Sequence, residues 1–156
     1  MPDTKKLHFI TSDFIALIKN ADATVAAKWG KMNFQQMVEH VTDFFKVSSN
    51  KIQIPLVTPI EHLPKYKEFL LSDKTFRENT KAPASILGEE PFPIRNTELS
   101  VAISKLEKQV NDFVAYFQNN PDAKTSHPVF GELDFDEWVL LHYKHVTHHA
   151  RQFGLM

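Results

Sequence analysis

The chain has 156 residues, of which 42% are hydrophobic and 24% charged, with a formal net charge of −1 and no cysteine. That composition fits one soluble domain spanning residues 1–156. It excludes disulfides, thiolate metal sites and a cysteine nucleophile, and it gives no basic footprint for nucleic acid or a membrane surface.

The first helix is predicted from about Thr4 to Asn20, with Leu7, Ile10, Phe14, Leu17 and Ile18 at helical spacing. Ser12, Asp13 and Lys19 interrupt this segment, so it reads as neither a signal peptide nor a transmembrane span, and the cytoplasm is the expected location. Ala21 to Lys31 reads as a connection closed by Trp29-Gly30. A second helix is predicted to begin at Asn33, which can cap it while Gln36 completes a capping box. Phe34, Met37, Val38, Val41, Phe44 and Phe45 form its apolar stripe, and it fades near Ser48-Ser49-Asn50.

From about Lys51 to Arg95 the pattern is least regular. Pro55, Pro59, Pro64, Pro83, Pro91 and Pro93 break it up, leaving room for one short helix around Lys65 to Leu71. A connection this long is either a functional lid or a segment that only wraps the core. A third helix is predicted from about Thr97 to Asn119, stopped by Asn119-Asn120-Pro121. The last starts with Asp134 as cap and Glu137 at its third position, and runs to about Phe153 with Gly154 as terminator. Few segments look like strands. The expected fold is therefore all-α, a four-helix bundle with a long proline-rich connection between helices two and three.

Histidine is the compositional oddity. Four of the eight, His142, His145, His148 and His149, fall within eight consecutive positions. On a helical wheel Trp138, Leu141, His142, His145, His149 and Gln152 share one narrow sector, which should face the interior. Three inward imidazoles ask for a common explanation, because each carries a donor and an acceptor that burial leaves unmet. A divalent metal is the simplest, since neutral imidazole ligates zinc, nickel, copper or iron. His145 and His149, at i and i+4, can reach one ion, and His142 with His145 is a weaker pair. The spacing is that of the zinc-protease helix H-E-x-x-H, but Val146 stands where that motif has its glutamate, so such a protease is rejected. His148 lies nearer the stripe's edge, suited to a hydrogen bond or a groove.

A third ligand should come from another helix. His40 is the best candidate, at the margin of the second helix's stripe beside Met37 and Phe44; spacing leaves it open between a ligand and a half-exposed histidine with no role. His127 could line the same mouth, while His8 and His62 have no partner that sequence identifies. Glu39 and Asp43 flank His40 and read as a solvated helix face rather than as ligand-orienting groups.

Two stretches resemble the DinB/YfiT-like superfamily of metal-dependent enzymes, in an uncharacterised bacterial branch. One runs from Trp29-Gly30-Lys31-Met32-Asn33 through Gln36-Met37-Val38-Glu39-His40. The other runs from His127-Pro128-Val129-Phe130-Gly131 through Trp138 to His145-Val146-Thr147-His148-His149-Ala150-Arg151-Gln152-Phe153-Gly154. The resemblance implies a DinB-like four-helix bundle whose metal is held by His40, His145 and His149, with no ligand role for His142 or His148. It also implies small-molecule chemistry of the kind carried out by thiol-dependent transferases and isomerases, without choosing among them.

Three protein ligands with open positions suit a catalytic site, that of a hydrolase or a thiol-linked transferase, with zinc or nickel the expected ion and a small molecule, a thiol among the candidates, the expected substrate. The competing reading is a non-catalytic bundle with a structural ion or hydrogen-bonded core histidines. Neither nucleic acid nor membrane is an expected partner, and an apolar helix face leaves a homodimer open.

Overall fold

The computed structural model describes residues 2–80 and 90–156. Pro83, and with it part of the proline-rich connection, lies outside the described residues. Asp3 caps α1 (Thr4–His8), which runs into a π-helical stretch (Phe9–Asp13) and then α2 (Phe14–Asn20). The predicted single helix is thus interrupted at its centre. Within it the Thr11 hydroxyl donates to the Leu7 carbonyl at 2.9 Å, a side-chain bond of the kind that loosens a helical ladder.

The capping box at Asn33 and Gln36 forms in both directions and starts α3 (Phe34–Ser48). A 3-10 turn (Ile60–His62) leads into α4 (Leu63–Leu71), two residues longer at its start than the predicted short helix, with Pro64 in its first turn where the missing N–H costs nothing. Next come α5 (Leu99–Asn119) and, through a hairpin, α6 (Phe135–Gln152), opened by the Asp134–Glu137 capping box. Gly154 then takes a φ of +68°, the left-handed conformation that ends helices.

The expectation of an all-α, four-helix bundle is corrected. Between α5 and α6 the chain forms a two-stranded antiparallel sheet, β1 (Thr125–His127) with β2 (Gly131–Leu133), in the register Thr125–Leu133, Ser126–Glu132 and His127–Gly131. Helix α4 adds a further helical element. Strands of three residues are too short for alternation to stand out in sequence. They form because Pro128 and Gly131, the latter at φ +80°, turn the chain back on itself, while Thr125, His127 and Leu133 bury one face.

The core lies between α3 and α5, closed by the first helical segment and α6. Phe14, Phe34, Phe45, Phe113, Leu106 and Trp138 are among its fully enclosed side chains. Lys144 on α6 donates to the Ser72 carbonyl at 2.7 Å and also to the Lys74 carbonyl, and its ammonium stands over the Phe69 ring. Lys67 on α4 pairs with Glu137. These contacts hold the described part of the connection onto α6. Among the described residues no helix is long and apolar enough to cross a membrane.

The hairpin is fastened by one hydroxyl. Thr125 Oγ1 accepts from the Trp138 indole at 2.7 Å and donates to the Ser48 carbonyl at 2.8 Å, all buried. Thr125→Val keeps the shape and strands both partners. It is expected to lower stability by about 1–3 kcal/mol, read as a loss in urea denaturation followed by tryptophan fluorescence; an unchanged midpoint would refute this role.

Candidate metal centre

Helices α3 and α6 cross so that His40 faces His145 and His149. The Nε2 atoms of His40 and His145 are 3.0 Å apart, as are those of His145 and His149. All three ligand atoms lie within 4.8 Å of one another. A tetrahedral zinc with bonds of about 2.0–2.1 Å sets nitrogens roughly 3.3 Å apart, so small side-chain movements separate this cluster from a coordination sphere. The three histidines can hold a metal ion. His149 is buried and the other two half-buried.

The proton positions follow from the neighbours. Gln152 faces the Trp29 carbonyl at 2.9 Å, which can only accept, so the amide nitrogen must point there. Its oxygen then faces His149 Nδ1 at 2.6 Å, which must carry a proton. A neutral His149 therefore presents a lone pair at Nε2. His145 Nε2 has a neighbour at 3.0 Å on each side and at most one proton, so one well-aligned hydrogen bond cannot satisfy both contacts. A cation at the centre turns all three lone pairs into ligands.

Burial favours the neutral, ligand-competent form of each ring. It pushes His40 down to about 4, helped by His148. It also holds His145 and His149 well below the ordinary histidine range, with the neighbouring histidines adding to the effect.

The Trp29-Gly30 turn has a defined task here. Gly30 sits at φ +80°, and a Cβ there would lie 2.9 Å from the Gln152 amide nitrogen. The backbone N–H of Lys28 also bonds the Gln152 carbonyl at 2.7 Å. The connection that precedes α3 thereby fixes the side chain that orients His149. Sequence reading placed Gln152 in the inward sector without a role. The i, i+3 spacing from His149 was the available signal, but its remote partner Trp29 was not legible.

The other histidines separate cleanly. His142 is buried away from the cluster, with Nε2 2.8 Å from the Ser48 hydroxyl and its ring stacked on Phe45 at 3.9 Å. His148 is buried against Trp29 and Phe76 and hydrogen-bonds the Phe76 backbone. His8 is exposed beside Asp13, and His62 is exposed at the start of α4. His127 is buried in the hairpin, stacked on Phe44.

A cavity of about 1610 Å³ opens beside the triad. Trp29, Phe44, Phe69, Phe76 and Phe130 give it aromatic walls, and residues 90–93 and 95 contribute from the end of the proline-rich connection. Residues of that connection from His62 onward thus contribute to the cavity wall, while residues 51–61 do not.

Reading Glu39 as solvated is corrected as well. Its carboxylate is buried and accepts from the backbone N–H groups of Arg95 (2.8 Å) and Asn96 (3.2 Å), the Asn96 side chain (3.0 Å) and Gln35 (3.2 Å). Arg95 also bridges to Asp43 at 2.9 Å. Glu39 therefore ties the end of the connection to α3 one residue before His40.

A family model described as "Protein of unknown function (DUF1569)" matches residues 5–156. The chain belongs to this family. No curated protein and no solved structure matches it.

Burial would raise the pKa of Glu39; the hydrogen bonds from Arg95, Asn96 and Gln35 outweigh it and bring it down to about 2, from 4.5 for a free glutamate. The folded state thus binds fewer protons than the unfolded one between those values. The stabilisation is present above about pH 5 and is lost as pH falls toward 2. Glu39→Gln is expected to lower stability by about 1–3 kcal/mol near neutral pH and to flatten its decline in acid. Urea denaturation at pH 7 and at pH 3 measures both, and a variant as acid-sensitive as the wild type contradicts the assignment.

Proposed function

We propose that His40, His145 and His149 hold one divalent cation, zinc or nickel. We further propose that the protein is a metal-dependent enzyme acting on a small molecule bound in the adjoining cavity, as a hydrolase or a thiol-linked transferase. The observation that carries the reading is the proton inventory of the triad: three converging Nε2 atoms, one of them deprotonated by the Gln152 contact, with no hydrogen-bond pattern that satisfies them all. A buried cluster left in that condition is destabilising, and a cation removes the conflict.

Further support comes from the donor set. Three neutral imidazoles, one of them with Nδ1 held by a side-chain amide, make a borderline nitrogen site suited to zinc or nickel rather than to magnesium or calcium. The DinB/YfiT resemblance of the His40 segment and of the H-x-x-H-H-x-x-Q string points to the same three residues. A divalent cation supplies Lewis acidity, lowering the pKa of a water or thiol that joins it, which makes a nucleophile available near neutral pH in a chain without cysteine.

The chain's own residues supply the rest. Phe44 packs edge-on against His40 and His145, at 5.2 and 5.3 Å, and carries the cavity wall away from them. Glu39 is committed to Arg95, Asn96 and Gln35, so it is not a free general base. The cavity on the open side favours a catalytic over a purely structural ion, because structural sites are closed by protein ligands.

Elemental analysis of protein purified without chelator and offered zinc and nickel is expected to show one ion per chain. His40→Ala, His145→Ala and His149→Ala each abolish it, and Gln152→Leu weakens zinc about 10–100-fold. Wild-type protein carrying no more metal than the alanine variants would end the reading.

A further inference from the structure

The hairpin carries an imidazole that the triad does not use. His127 Nδ1 accepts from the backbone N–H groups of Val129 at 3.0 Å and Phe130 at 3.2 Å. Pro128 has no N–H, so these are the first two donors after the histidine, and the side chain closes the turn over the proline. An Nδ1 that accepts twice cannot carry the proton of a neutral ring, so the proton resides on Nε2. Exchange to the other tautomer would break both turn bonds at once.

Among the described residues that Nε2–H has no partner. The side chain is nine-tenths buried, yet its nitrogen is not sealed in the core. Among the described residues the one enclosed side-chain nitrogen or oxygen lacking a partner is an Nη2 of Arg151. His127 lines the cavity beside the triad, and its free N–H must therefore reach that space. Three rings hold it there: Phe44 stacked at 5.6 Å, Phe130 edge-on at 5.2 Å and Trp138 at 5.6 Å. Phe44 also touches His40 and His145, so one aromatic face spans the interval between the triad and the His127 donor.

We propose that His127 is a substrate-binding residue, a tautomer-locked neutral donor that takes an acceptor oxygen, carbonyl or carboxylate, of a small molecule whose other end is anchored at the triad. The inference rests on the metal reading for the anchored end only; the donor itself follows from the hairpin. It narrows the substrate to a two-point ligand, with a metal-binding atom at one end, a short apolar middle lying along Phe44, and an oxygen at the other. Burial keeps the imidazole neutral down to about 3, so it serves as a hydrogen-bond donor, neither a cation nor a base, throughout the neutral range.

The test uses zinc-loaded full-length protein and a graded series of mercaptocarboxylates (mercaptoacetate, 3-mercaptopropionate, 4-mercaptobutyrate) beside 1-propanethiol, which lacks the oxygen. His127→Asn places an amide oxygen where Nδ1 was, so the turn bonds survive while the donor at the far side of the ring is lost. Calorimetric titration is expected to show this variant binding the best-fitting mercaptocarboxylate about tenfold more weakly and 1-propanethiol as tightly as the wild type. Equal affinities across the series, or an equal loss for 1-propanethiol, overturn the proposal.

A long-range proton–nitrogen spectrum of the wild type with labelled histidine keeps the question decidable if the variant fails to fold. The Nε2–H tautomer, with its proton signal moving downfield on addition of the mercaptocarboxylate, supports the donor; the other tautomer or a fixed signal overturns it. Wild-type protein that takes up no zinc defeats the metal reading, and the donor is then judged on the same resonance with butyrate and metal-free protein. Movement retains the donor and no movement rejects it.

Discussion

Gln152 can give its oxygen to His149 only while its nitrogen is held by the Trp29 carbonyl, and this single side-chain orientation decides the chemistry of the triad. Turned the other way, the amide would face its NH2 toward Nδ1, His149 would move its proton to Nε2, and the converging position would be a donor instead of a ligand. The turn at Gly30 exists in the space that orientation leaves. A side chain there would collide with the amide nitrogen, and the backbone conformation itself suits glycine. A segment with no regular structure, before α3 begins, thus sets the protonation of a residue on the last helix.

The opposite half of the site is set by a different kind of tether. His40 could sit on any well-capped helix; what fixes the surroundings of α3 is Glu39, whose buried carboxylate collects the first residues after the proline-rich stretch. The same bonds that depress its pKa bring residues 90–95 to the cavity wall. Folding stability and cavity shape therefore draw on one carboxylate, whereas His40 beside it makes no hydrogen bond to that carboxylate. On α6 the arrangement is complementary. Lys144 holds the carbonyls that follow α4, so both walls contributed by the connection are fastened to the helices that carry the histidines.

Much of this was legible in the sequence, and the losses have physical causes. The caps at Asn33 and Asp134, the stripe of α3, the inward sector of α6 and the stop of α5 at Asn119-Asn120-Pro121 are local signals, and local signals survive into the structure because nearby residues realise them. The hairpin at Thr125–Leu133 was missed because strands of three residues hold too little of the two-residue alternation to stand out. The break in the first helix was missed because Thr11 reads as helix-compatible at its position. Glu39 was misread because Arg95 and Asn96, which supply most of its hydrogen bonds, lie more than 50 residues away in an irregular segment, and no spacing rule reaches across such a gap. For the site, the approach of His145 to His149 was readable from i, i+4 geometry alone. The arrival of His40 required knowing how two helices cross.

The histidines show where composition stops being informative. His142, His145, His148 and His149 occupy adjacent turns of one helix, yet they meet a serine hydroxyl, two ring nitrogens, a backbone group and an amide oxygen respectively. Burial lowers the pKa of each of them, so neither depth nor titration distinguishes a ligand from a core residue. What distinguishes them is which nitrogen is already committed. His149 commits Nδ1 and leaves Nε2 as a lone pair; His127 commits Nδ1 as an acceptor and leaves Nε2 as a donor; His142 spends Nε2 on the Ser48 hydroxyl. The two Nε2 positions are of opposite polarity and border one cavity, the first beside the Nε2 of His145 and the second in the hairpin. On the proposed reading the triad's lone pairs go to the cation and the His127 proton to the small molecule, and the Phe44 ring between them sets how long that molecule can be.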